Sequence, residues 1–197
     1  MRIACLHTAE SNIAVFDAAA REINLPAGVI SHHVRADLLE AAERAGGLKR
    51  DTVDATASAL RALGRNANAV LLTCSTLGPS VCGLEQTMSV PALRVDAALA
   101  RQALSLGGKV VALCAVETTL GPTTQLFAEA AELSHTPYEV RLVRTPGRYS
   151  RLVIVMVISQ SLQMPPRLHI ETERLSSLSL KHPWPERPIS SKVAPDR

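Results

Sequence analysis

The sequence predicts an α/β protein with a parallel sheet flanked by helices on both faces, and three observations carry that expectation. Short β-like runs alternate strictly with alanine-rich helical stretches over residues 1–147. Polar loops rich in hydroxyl groups follow several of the strand-like runs. The 197 residues are 47% hydrophobic and 20% charged with a net charge of +3, enough apolar surface for a packed core and too much for a disordered chain.

In chain order, Arg2–Leu6 reads as a strand, followed by the polar loop His7–Asn12. Ile13–Asn24 reads as a helix, with Ile13, Phe16, Ala20 and Ile23 at three- and four-residue spacing. Gly28–Val34 is a second strand. Ala36–Ala45 and Asp51–Leu63 are helices, the latter with Asp51 as N-cap and Val53, Ala57, Leu60 and Leu63 on one face. Ala69–Thr73 is a buried strand running into Cys74-Ser-Thr-Leu-Gly-Pro79, and the chain should be helical from Pro79 onward. Ala92–Val95, Lys109–Leu113 and Tyr138–Val143 are further strands, separated by helices at Asp96–Leu106 and Pro122–Leu133.

The last fifty residues are a different text. Residues 1–147 hold 27 alanines and every glycine, whereas residues 148–197 hold one alanine, six prolines, eight serines and six arginines without helical period. Pro165-Pro166 and the stretch His182–Pro188 are extended or disordered in character. An insertion or deletion near codon 148 of an alanine-rich gene would produce such a segment out of frame. The rival is a genuine divergent tail in which Leu152–Ile158 supplies a strand.

Several function classes are excluded by the same counting. The longest apolar run, Leu152–Ile158, is seven residues, against the ~20 that a membrane helix needs. The N-terminus lacks a secretory pattern, so the expected compartment is the cytoplasm. Cys5, Cys74, Cys82 and Cys114 have no paired short spacings and read as reduced thiols rather than a disulfide framework or zinc site. Aromatic content of 3% leaves little to stack bases, so no nucleic-acid partner is expected.

In parallel α/β sheets ligands bind in the loops at the carboxyl ends of strands. Two such loops share a local repeat, Ser75-Thr-Leu-Gly-Pro-Ser80 and Thr118-Thr-Leu-Gly-Pro-Thr123. Glycine loosens the turn, proline takes the first helical position, and hydroxyls lie beside the free N–H groups of a new helix. Two such ends could hold a carboxylate on each side of a small substrate. Cys74, at a strand end close to a helix start, is placed to have its thiol pKa lowered and to act as base or nucleophile. Cys5, Cys82 and Cys114 read as small buried hydrophobes. His32 and His33 on one strand point to opposite faces and cannot both serve one metal. A packing or surface role is preferred for both, as it is for His7 over substrate contact. Glu117 reads as a solvated or capping residue at a helix start.

Val70-Leu-Leu-Thr-Cys74-Ser-Thr76 resembles the strand ending in Cys-Asn/Ser-Thr of the aspartate/glutamate racemase superfamily, and Val110–Thr119 resembles that family's second-domain strand ending in threonine. The resemblance covers about residues 2–145. It implies two similar flavodoxin-like parallel-sheet halves with the active site in the cleft between them. Residues 1–95 would form the first half, 96–147 the start of an incomplete second half, and 148–197 the atypical tail. It further implies cofactor-independent proton transfer at the α-carbon of a small carboxylate, with no metal or organic cofactor. Cys74 would be the acid/base, and Ser75, Thr76 and Thr119 would bind carboxylate. Thr118 would assist, and Ser11 and Asn12 would line the floor.

The family's second cysteine has no counterpart beyond Cys114. Alternatives are therefore a single-cysteine relative, decarboxylase or cis-trans isomerase, and a truncated, inactive fold that binds a small carboxylate. A second half that stops early would leave an open sheet edge, for which homodimerisation is one outlet.

Overall fold

The sequence IACLH begins the fold as strand β1 (Ile3–His7), four of whose five residues are buried. This is a computed structural model that describes residues 1–143 and 156–159. These belong to one compact unit, Met1–Gln163. Residues 144–155 and 160–197, including Pro165-Pro166 and His182–Pro188, lie outside the described residues.

β1 is flanked by two parallel neighbours, β2 (Ile30–Val34) and β3 (Ala69–Leu72), and β4 (Ala92–Arg94) extends the sheet beyond β3. The order β2-β1-β3-β4 is that of flavodoxin-like sheets, with the switch point between β1 and β3. Each parallel pairing needs a crossover. Helix α1 (Ser11–Glu22) makes the first, and α2 (Ala36–Arg44) and α3 (Arg50–Gly64) make the second.

Strand alternation divides the work between the two faces. Ala4, Leu6, Val70 and Leu72 meet Leu38, Leu39 and Ala42 of α2 and Ala57 and Leu60 of α3 in one apolar core. Truncating a fully buried leucine such as Leu60 in such a core costs about 2–5 kcal/mol. The opposite face, under α1, is built differently. Helix α1 buries none of its residues completely, and the β1 side chains directed to it include Cys5 and His7, both fully buried.

A second sheet has the order β6-β5-β7. Here α4 (Val95–Ser105) leads to β5 (Val110–Cys114), α5 (Glu117–Ser134) to β6 (Tyr138–Leu142), and β7 is Met156–Ser159. Ala100, Ala103 and Leu104 of α4 pack with Val110, Ala112, Leu126 and Phe127. β5 and β6 are parallel, but β7 runs antiparallel to β5, pairing Val110 with Ser159. The protein is thus mixed α/β, with a parallel four-stranded sheet and a second sheet that is only partly parallel. A strand does lie within the segment that the Leu152–Ile158 run pointed to.

Some local expectations shift for identifiable reasons. α3 starts at Arg50, one residue ahead of Asp51, which occupies the first turn beside the helix dipole and makes no capping bond. From Pro79 the chain forms only short 3-10 turns, Gly78–Val81 and Leu84–Gln86, interrupted by Gly83 in the left-handed region at φ 76°. α5 starts at Glu117, ahead of Pro122, which lies inside the helix. A proline there withdraws the N–H that the Thr118 carbonyl would have received and crowds that carbonyl with its ring. Among the described residues no helix is long and apolar enough to cross a membrane.

Candidate functional site

Cys74 stands just past the carboxyl end of β3, beside β1 at the switch point of the sheet. The β1–β3 ladder continues past β3 through the Thr73 N–H, which donates to the Leu6 carbonyl at 3.1 Å. The chain then turns sharply, with the Gly78 N–H donating to the Ser75 carbonyl at 3.1 Å. That turn brings the amides of Thr76 and Leu77, with the hydroxyls of Thr8 and Thr76, near enough to the Cys74 thiol to favour its anion. Cys74, Ser75 and Thr76 are all buried.

The expectation of a depressed Cys74 pKa is not met. Burial pushes this thiol above its ordinary value, and the contacts with Thr8, Leu77 and Thr76 offset only part of that shift. A four-residue 3-10 turn also stands where an α-helix is expected, so no helix macrodipole adds to those contacts. Cys74 is accordingly a protonated thiol at neutral pH, surrounded by donors suited to its anion.

The two repeated loops meet each other. Thr76 Oγ1 lies 3.1 Å from Thr119 Oγ1 and 3.3 Å from Thr118 Oγ1. Pro79 and Pro122, also repeat equivalents, line one small cavity of about 110 Å³ together with Cys82, Arg94, Gln125, Leu126 and Glu129. The repeat therefore brings the two loops together at a contact between the two sheets. Ser80, which closes the first copy, has a buried hydroxyl without a partner. Arg94 lies against Gly78 and is held by Asp96 through bonds of 2.9 and 2.7 Å.

The remaining site expectations divide. Ser75 joins Thr76, Thr118 and Thr119 in this region. Ser11 and Asn12 open helix α1, Ser11 exposed and Asn12 half-buried, and it is Thr8 from the same loop that reaches the Cys74 thiol. Thr8 was legible only as one polar residue among several in His7–Asn12. Glu117 is exposed at the first position of α5, as a solvated residue should be. Cys5 and Cys114 are buried within strands, whereas Cys82 is exposed after its 3-10 turn and does not pack as a small hydrophobe.

Beneath α1 lies a polar chain that the sequence did not announce. His7 Nδ1 lies 2.9 Å from Thr73 Oγ1, and His7 Nε2 lies 2.9 Å from His32 Nδ1. His32 Nε2 in turn meets Asp17 Oδ1 at 3.1 Å. Burial, reinforced by His32 and His33, lowers the His7 pKa to about 4, so this imidazole is neutral at neutral pH. His32 pairs with Cys5 and His33 with Leu6, which puts the two histidines on opposite faces. The alternation of Cys5 and His7 signals a shared face. The register that brings His32 beside them has no local signal.

No family model matches the sequence, and no curated protein matches it. Among solved structures, an NtrC family transcriptional regulator from Clostridium acetobutylicum is similar over 74% of this chain at 16% identity with a TM-score of 0.30. The chain spans 66% of that protein, just under two thirds of its length. A likeness this distant carries no argument about function.

Proposed function

We propose that the chain catalyses cofactor-independent proton transfer at the α-carbon of a small carboxylate such as an amino acid, with Cys74 as the acid/base. The observation that carries the reading is the position of Cys74 just past the end of β3 at the β1/β3 switch point, where the hydroxyls of Thr8 and Thr76 and the amides of Thr76 and Leu77 favour its anion. The resemblance of Val70–Thr76 to the aspartate/glutamate racemase superfamily supports the same assignment.

In this reading the substrate carboxylate takes the hydroxyl hydrogens that Thr76, Thr118 and Thr119 now share with one another. The Cys74 thiol first gives its proton to solvent, the thiolate so formed accepts the α-proton, and the C–H electron pair moves into an enediolate. Fixed donors stabilise the developing charge on the carboxylate oxygens. Proton return to the α-carbon regenerates the thiolate.

The protonated state of Cys74 favours a second reading, in which the thiol acts only as a donor. There the bond to a second carboxylate breaks, carbon dioxide leaves with the electron pair remaining on the α-carbon, and the Cys74 proton goes to that carbon. Water then restores the thiol. This is decarboxylase chemistry of the single-cysteine kind.

Proton NMR in deuterium oxide with a panel of amino acids and substituted malonates tests both. The first reading expects loss of an α-proton signal, slowed about 100-fold or more in Cys74→Ala. The second expects deuterium only in a decarboxylated product, with the same dependence on Cys74. Turnover that persists undiminished in the variant removes Cys74 from the mechanism, and none with any compound leaves a carboxylate-binding fold.

A further inference from the structure

We propose that Cys5 Sγ, His7 Nε2 and His32 Nδ1 form a binding site for a divalent transition metal of the zinc type, separate from Cys74 and independent of the function proposed for it. These ligand atoms lie within 4.8 Å of one another. Cys5 and His7 share a face of β1, and the β1–β2 register places His32 beside Cys5. Two neutral nitrogen ligands and one thiolate are the donors zinc prefers, and three protein ligands leave a fourth position for water.

The surrounding hydrogen bonds orient the imidazoles of this cluster. Asp17 accepts from His32 Nε2, so its inner nitrogen, Nδ1, carries a lone pair. Thr73 Oγ1 lies 3.2 Å from the Leu6 carbonyl and 2.9 Å from His7 Nδ1, and where its one hydrogen goes to Leu6 it accepts from His7 Nδ1. His7 Nε2 then also carries a lone pair. With tautomers assigned from this network, two lone pairs face each other at 2.9 Å. A cation between them would hold this arrangement, whereas with the Thr73 hydrogen turned to His7 Nδ1 the His7 Nε2–H donates to His32 Nδ1 instead. A tetrahedral ion needs about 3.3 Å between nitrogens and about 3.6 Å between nitrogen and sulphur, so the imidazoles need to part by only a few tenths of an ångström.

Asp17 and Thr73 thus occupy the outer positions that orient metal-bound histidines in many such sites. Binding releases the Cys5 thiol proton to solvent. The ion reaches the site from the side of His32 and Asp17, whose side chains keep 14% and 47% of their exposure, whereas Cys5 and His7 are fully enclosed. Placing a thiol, two imidazoles and a carboxylate under a helix that buries nothing completely sacrifices an apolar layer, and a metal supplies the missing cross-link.

The test is titration of the reduced, chelator-treated full chain with cobalt(II), followed by displacement with zinc(II). One equivalent should bind with a thiolate-to-cobalt charge-transfer band, and zinc should abolish that band. Cys5→Ser should lose the band, and His32→Gln should weaken binding by more than about 100-fold. Asp17→Asn should weaken it by about 10- to 100-fold, and His33→Ala should leave it unchanged. His32 and Asp17 are partly exposed, so their variants test the site without disturbing a closed core, and circular dichroism without metal checks the fold of each. A wild-type chain that shows no thiolate band overturns the proposal. So does binding that survives intact in both Cys5→Ser and His32→Gln, or that His33→Ala reduces as much as His32→Gln.

Discussion

Thr76 Oγ1 and Thr119 Oγ1, equivalent positions of a repeat offset by 43 residues, lie 3.1 Å apart and join the loop after β3 to the first turn of α5. Both residues are fully buried. Thr76 Oγ1 also has Thr118 Oγ1 at 3.3 Å, so it is removal of Thr76 that leaves the buried Thr119 hydroxyl without its partner. Thr76→Val should therefore destabilise by about 1–3 kcal/mol. The double variant Thr76→Val/Thr119→Val should be less destabilised than the two single effects added together. Urea denaturation of the four proteins gives the coupling. Additive losses would mean that the hydroxyls do not depend on each other.

This contact also marks where local reading stops. The strands were legible because Ala69–Leu72 and Val110–Cys114 are apolar runs bounded by turn residues, and their alternation with helices is enough to require parallel pairing. Cys74 was legible as a site candidate because a thiol at a strand's carboxyl end lies where such sheets hold ligands. The start of α5 was hidden by Gly121-Pro122, which locally imitates a helix start although the preceding turn is already helical. The reversed direction of β7 depends on how a distant segment returns to β5, which no periodicity encodes. Likewise Cys5, His7 and His32 come together through inter-strand register, a tertiary property.

Burial of thiols gives the protein an alkaline limit. Cys74 and Cys114 both ionise above the ordinary 9.0 because burial disfavours their anions, with Thr123 partly opposing this at Cys114. The unfolded chain releases these protons near 9.0 and the folded chain only later, so above that pH the unfolded state holds fewer protons. Stability contributed by the neutral thiols is present below 9.0 and is lost as the pH rises through the folded values. Urea midpoints should therefore fall from about pH 8 to about pH 10, and the fall should be shallower in Cys114→Ala. A midpoint that rises over that interval would contradict the burial of these groups.

Gly78 supports the Cys74 turn from the other side. A Cβ at this position would run into the Arg94 guanidinium, which cannot simply swing away because Asp96 holds it by two bonds. The pair is largely enclosed, with 15% and 7% of the side chains exposed. Gly78→Ala should therefore cost about 1–3 kcal/mol through overpacking. Asp96→Ala should cost about 3 kcal/mol, the low end for stranding a buried partner, because Arg94 retains some contact with water. Once Asp96 is gone the guanidinium is free to move, so Gly78→Ala should cost markedly less in the Asp96→Ala background. If that substitution costs the same with and without Asp96, the glycine is required by its own backbone rather than by Arg94.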